Sequence, residues 1–363
     1  MLPEMRQTLF LKTKNNLLKL SIGVKAYRIW EKIRLRRKAK KVVSKLLYDL
    51  KNNKVKRIRI CFDTKFAPPT YGDFFHTVML ARFLEMSGYE IDFFIVSHSK
   101  REDWEFLSAS QAENLILDFK KIASNYLNLK KSTVKIYESK VNTNANTAEL
   151  KTEKIHLIAQ QIIRILVLKN NWEVPSNFLL DENPKLNVSS NINQKFITWH
   201  IRLGKWDLKR NFRASTILKD LLTLTKYFPN EKIMILSTKD GIHLFNSLTF
   251  ENTSINVASK SKEKIITQPV NGFLSATEFL LNSQFYFQRS GGGMSAVALY
   301  TTIPYVMVNE YTYFWNLRGR FLHLSNFRIM PWSTKRQFLI YCPKKIDDFD
   351  IEKYLQKATG YDS

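Results

Sequence analysis

Three short stretches hold the side chains best suited to chemistry. In RSGGGMS, residues 289–295, the consecutive glycines Gly291, Gly292 and Gly293 separate an apolar run (Phe285 to Phe287) from a small-residue helical pattern (Met294 to Tyr300). Pro304 then leads a second apolar run to Val308, so the segment reads strand, glycine loop, helix, strand. Glycines let backbone N–H groups approach a ligand, and a helix N-terminus carries partial positive charge, so such a turn suits a phosphate. The spacing is neither GxGxxG nor GxxxxGK[ST], which removes the usual support for dinucleotide binding or ATP hydrolysis. The alternative is a tight loop that needs its glycines for packing alone.

The second stretch is WHIRLGKWDLKRNFR, residues 199–213. His200 and Arg202 end an expected strand, with Lys205, Lys209, Arg210 and Arg213 behind them. Arginine suits bidentate phosphate recognition and lysine adds a point charge; the alternative is a solvated basic loop. Lys239, with Ser237, Thr238 and Asp240, ends the next expected strand, while Arg289, Ser290 and Ser295 flank the glycines. All are candidates for the same anion, although the Ser, Thr and Asp residues also suit backbone capping.

The third stretch, PPTYGDFFH at 68–76, puts Asp73 and His76 at a helix start. Asp73 is either an N-cap or a general base that takes a proton from a hydroxyl. His76 fits a core or a cleft equally. No HExxH, GxSxG or Cys/His cluster appears, and Asp348-Phe349-Asp350 reads as capping, so no metal site is expected.

These stretches need elements to hold them. Strand IRICFD (58–63), a helix from Phe74 to Ser87 and strand IDFFIV (91–96) form a βαβ start, which implies a parallel sheet. Helices are expected over 112–130 and 153–170 with a strand at 133–139, and 141–153 reads as a polar loop. Residues 181–194 have linker composition. A second alternating series follows: strands at 196–201, 232–238 and 254–259, helices at 215–228, 241–248 and 271–283, then the glycine segment. Four regions result: a basic helical segment 1–56, α/β domains at 57–180 and 190–340, and a C-terminal helix at 341–363. The fold class is α/β, two Rossmann-like domains with a central cleft, and ligands belong at the C-terminal strand ends.

The net charge is +25. Residues 25–57 hold fourteen Lys and Arg against Glu31 and Asp49, with Tyr27, Trp30, Ile33, Val42, Val43, Leu46, Leu47 and Leu50 at roughly helical spacing. A basic amphipathic helix of this kind suits an anionic membrane surface. Nucleic acid is disfavoured because no binding motif accompanies the charge, and the plain alternative is a helix packed on the next domain. The chain shows no spanning apolar stretch and no signal-peptide core, and only Cys61 and Cys342 occur. These features point to a cytoplasmic protein, peripheral on the inner face of the cell membrane.

YGDFFHTVMLARFLEMSGYEIDFFIV and GFLSATEFLLNSQFYFQRSGGGMSAVALYTTIPYVMVN resemble the corresponding segments of heptosyltransferase-type glycosyltransferases, and KWDLKR resembles their Lys-Arg element. WHIR resembles the His-x-Arg motif of the fucosyltransferase superfamily. Both families have the GT-B architecture and need no essential metal. The resemblance implies an inverting transfer from a nucleotide-diphosphate sugar to a glycan or lipid-linked acceptor, with no cofactor. Asp73 would be the base, Arg202 would stabilise the leaving diphosphate, and His200, Lys205, Arg210, Ser290 and Gly291 to Gly293 would hold the donor. RSGGG stands where heptosyltransferases carry Asp-Thr-Gly, so the resemblance does not name the sugar. Two other readings stay open: a non-catalytic membrane- or nucleic-acid-binding protein with a degenerate Rossmann pair, and a nucleotide-sugar epimerase.

Overall fold

Short apolar runs form the strands and the periodic segments between them form the helices. The computed structural model describes residues 21–52, 55–67, 70–97, 107–137, 148–150, 155–182, 196–201, 203, 213–247, 264–269, 272–289, 292–310, 330–342 and 349–360. Among these, a long helix α1 (Ser21–Asn52) leads into β1 (Arg57–Asp63), α2 (Tyr71–Met86), β2 (Glu90–Val96), α3 (Ala109–Tyr126) and β3 (Thr133–Tyr137). Next come β4 (Ala148–Leu150), a 3-10 turn (Ile155–Leu157) and α4 (Ala159–Asn170). The four described strands of this half pair in the order β3-β2-β1-β4, all parallel.

The second half runs β5 (Phe196–His200), α5 (Ala214–Tyr227), β6 (Lys232–Ser237), α6 (Lys239–Asn246), β7 (Ile265–Pro269), α7 (Phe273–Leu281), β8 (Tyr286–Arg289) and α8 (Gly293–Ala298). It continues with β9 (Tyr305–Glu310), β10 (Gln337–Cys342) and α9 (Glu352–Thr359). Its described strands order β10-β9-β8-β5-β6-β7, again all parallel. The chain moves outward from β5 to β7, then returns to β8 on the opposite side of β5. That reversal is a topological switch point, the place where doubly wound sheets leave a crevice for ligands.

One apolar core joins the halves. Ile58, Ile60, Phe62, Phe93 and Ile95 of the first sheet belong to the same cluster as Tyr286, Tyr305 and Met307 of the second. Burying each such side chain is worth about 1.5–3 kcal/mol. The link is also polar. Asp181 accepts from the Thr302 backbone N–H at 2.9 Å and from its hydroxyl at 2.5 Å, and Leu180 N–H donates to the Tyr300 carbonyl at 2.9 Å. Arg82 of α2 is buried and donates to the carbonyls of Tyr126 (3.0 Å) and Asn177 (2.8 Å), pinning the segment that leaves the first half. Burial lowers its guanidinium pKa, and the carbonyl dipoles offset part of that cost.

Several expectations change. The polar stretch 141–153 contains strand β4, which pairs with β1 through Ile58 and Ile60. The helix expected over 153–170 is a 3-10 turn followed by α4 from Ala159. The strand expected at 254–259 lies outside the described residues, and Ile265–Pro269 takes the place beside β6. Strand β10 reaches Cys342, so the C-terminal segment begins as strand, and its described helix is α9 from Glu352. In α1, Leu35, Ala39, Val43 and Leu46 are buried in the common core. Over those residues, the apolar face expected to meet a membrane packs on the protein. Among the described residues, no helix is long and apolar enough to cross a membrane.

Candidate functional site

The switch point of the second sheet is polar beneath its glycines. His200 is the last residue of β5 and stands in register with Gln288 of β8. Gln288 is a polar residue in the apolar run FYFQR, and it is fully buried. The Tyr286 hydroxyl donates to Gln288 Oε1 at 2.5 Å, so the carboxamide is fixed with its donor end elsewhere. That donor, Nε2, has no hydrogen-bond partner among the described residues. A buried donor without an acceptor costs about 1–3 kcal/mol, and an arriving oxygen would recover it.

Gly292 sits directly over these two side chains. A Cβ there would lie 3.0 Å from Gln288 Nε2 and 3.2 Å from His200 Cε1, and φ is +152°. The backbone conformation therefore favours glycine, and any Cβ would press on both side chains. Gly293 opens α8, and Ser295 one turn on donates from its hydroxyl to the Gly292 carbonyl at 2.5 Å. Ser295 thus secures the loop's own backbone.

The first half meets this loop face to face. A Cβ on Gly293 would lie 3.1 Å from Tyr71 Cβ, and one on Gly72 would lie 3.6 Å from Gly293 Cα. The YGD turn and the glycine loop are thus in van der Waals contact, so the two walls of the expected central cleft meet at this point. Tyr71 stacks on Phe273 (centroids 5.3 Å apart, planes 12°) and donates its hydroxyl to Asp118 at 3.0 Å. Burial, reinforced by Asp118, raises the Tyr71 phenol pKa, so it stays a neutral donor. Asp73 is the third residue of α2, and Thr70 occupies the N-cap position without a side-chain cap bond. The Thr70 hydroxyl instead donates to the Asp73 carboxylate at 2.8 Å and orients it. The N-cap reading of Asp73 gives way to a half-buried, positioned carboxylate beside the contact between the two turns.

Other candidates settle differently. Arg289 is buried, and its guanidinium grips Asp220 through Nε and through Nη2 (2.6 Å), with a further bond to the Phe349 carbonyl at 2.9 Å. Its charge is met by a buried carboxylate, so the anion-contact expectation for Arg289 is replaced by a tie between β8, α5 and the chain before α9. Lys239 is exposed at the first position of α6. Its neighbour Thr238 caps that helix, accepting from Gly241 N–H at 3.2 Å. His76 is buried, within 3.2 Å of the Tyr300 hydroxyl and 3.0 Å of Gln160 Nε2, which decides for the core. Arg202, Lys205, Arg210, Ser290 and Gly291 lie outside the described residues. Among those described, no three His, Cys, Asp or Glu side chains gather as a metal site.

Two doubly wound α/β units that meet through their glycine turns give the chain a paired Rossmann-like layout. No protein-family model and no curated protein matches it. Among solved structures it is similar to the E. coli heptosyltransferase WaaC with ADP, at 11% identity and a TM-score of 0.42, covering 84% of this chain and 99% of that one. It is also similar to a family 9 glycosyl transferase from Veillonella parvula, at 10% identity and a TM-score of 0.40, covering 84% and 96%. The strand orders establish the two Rossmann-like units independently of these likenesses. Within that layout, Gln288 and Asp220 are the residues that sequence reasoning passed over. Gln288 had a signal, one amide inside an apolar strand; Asp220 had none, being 69 residues from Arg289.

Proposed function

We propose that the protein is a glycosyltransferase that moves a sugar from a nucleotide-diphosphate donor to a hydroxyl of a glycan or lipid-linked acceptor. One observation carries this reading: an oriented carboxylate, Asp73, stands on a turn that touches a glycine loop built over buried polar groups at a switch point. That pairs a base on one wall with an anion-binding surface on the other. The diphosphate would lie against the loop at Gly292 and Gly293, with His200 and Gln288 beneath. Arg202, Lys205 and Arg210 of the adjoining basic loop would add charge.

In the proposed step, the acceptor oxygen attacks the anomeric carbon as Asp73 takes its proton. The bond from that carbon to the phosphate oxygen breaks, and the nucleoside diphosphate leaves with the electron pair. Donors already in place where that charge develops lower the barrier without reorganising. Attack from the face opposite the leaving group would invert the anomeric centre, and Arg202, Lys205 and Arg210 would take the role a metal could otherwise play.

The test is to incubate the protein with a panel of nucleotide sugars and measure release of each nucleoside diphosphate, beside thermal shifts with GDP, UDP and ADP. Stabilisation by one nucleotide and turnover of its sugar are expected. No shift with any of them would remove the reading and favour a non-catalytic binder.

A further inference from the structure

The outward face of α1 is strongly cationic, and its geometry is specific. At about 100° per residue, the buried side chains Leu35, Ala39, Val43 and Leu46 cluster on one side of the helix. Diametrically opposite runs the ridge Arg37, Lys41, Ser44 and Tyr48, flanked by Arg34, Lys40 and Lys45, all exposed. Among the described side chains of α1, residues 33–52, the one acid is Asp49, which is half-buried on the flank. The same face carries two exposed apolar groups near its ends, Ile33 (44%) and Tyr48 (64%). The cationic field extends beyond the helix, because Arg164 of α4 has its pKa lowered by burial and by the neighbouring charge of Arg36.

We infer that this face is a docking surface for an anionic lipid bilayer. A helical ridge of about 20 Å meets a flat surface along its whole length, whereas the wall it would offer a nucleic-acid groove is backed by the protein core. Aromatic and aliphatic groups among lysines and arginines suit the interface between headgroups and acyl chains. Because the apolar seam packs on α4 and β4, attachment is electrostatic and peripheral, with Tyr48 and Ile33 as shallow anchors. Charge attraction of this kind weakens within a Debye length and falls with salt. The inference is independent of the catalytic reading.

The experiment is flotation of the full chain with vesicles of phosphatidylcholine alone or with about one third phosphatidylglycerol, at about 50 mM and about 300 mM salt. The protein should float with the anionic vesicles at low salt, be released at high salt, and ignore the neutral ones. The variant R37E/K41E/K45E alters only exposed side chains and should cut the bound fraction at least about tenfold while keeping the wild-type circular dichroism. Tyr48→Ala should leave charge-driven binding but make it release at lower salt. Equal binding to neutral and anionic vesicles, or undiminished binding by the triple variant, would overturn the inference. So would duplex RNA that displaces the protein from anionic vesicles in equimolar competition.

Discussion

The two glycine turns occupy equivalent places, each following a strand of a parallel sheet and opening a helix, yet they are built from opposite materials. The turn of the first half is braced by aromatics. Tyr71 stacks on Phe273, sits edge-on to Phe119 and is tied to Asp118 by its hydroxyl. The turn of the second half rests on His200 and on Gln288, whose donor has no described partner. A braced turn holds one side chain, Asp73, in a fixed direction. A turn over buried polar groups keeps binding capacity in reserve. Under the proposed function, the first half would position the acceptor chemistry and the second would recognise the anion.

Four substitutions break or sharpen that contrast. The largest effect belongs to the support beneath the second turn. Asp220→Ala leaves the Arg289 guanidinium buried without its carboxylate and should destabilise the protein by about 3–5 kcal/mol in chemical denaturation. Gly292→Ala forces a side chain into positive φ against Gln288 and His200. It should cost about 1–3 kcal/mol and weaken nucleotide binding in calorimetry. Gln288→Met keeps the volume and removes the donor. It should weaken nucleotide binding about tenfold and, by leaving the buried Tyr286 hydroxyl without its acceptor, lower stability by about 1–3 kcal/mol; unchanged affinity would show that the second turn is merely packed. Tyr71→Phe keeps the stack and removes the bond to Asp118, so a loss of about 1 kcal/mol is expected with nucleotide affinity intact.

Much of the frame was legible in the chain. The buried strands β1, β2, β5, β6, β8 and β9 announce themselves as apolar runs between turn residues, because both faces of a parallel sheet are covered. Strand β4 escaped notice, since three residues, Ala148 to Leu150, inside a polar run give no periodicity. Of the site, the glycine loop and the YGD turn were legible by composition, but their contact was not. Packing of α8 on α2 brings together residues more than 200 positions apart, and no local pattern encodes that. Arg289 misled for a related reason: next to a glycine loop it looks like an anion ligand, and only the tertiary fold supplies Asp220. Thr70 likewise displaced Asp73 from the N-cap position, a distinction of three residues that the sequence leaves open.

The central claim is that one wall supplies a base and the other binds a nucleoside diphosphate. Asp73→Asn tests it most directly, with donor affinity and nucleoside diphosphate release measured on the same preparation. Affinity should stay within about twofold of wild type and release should slow by about 10²–10⁴. Release at the wild-type rate, or affinity lost together with turnover, would contradict it.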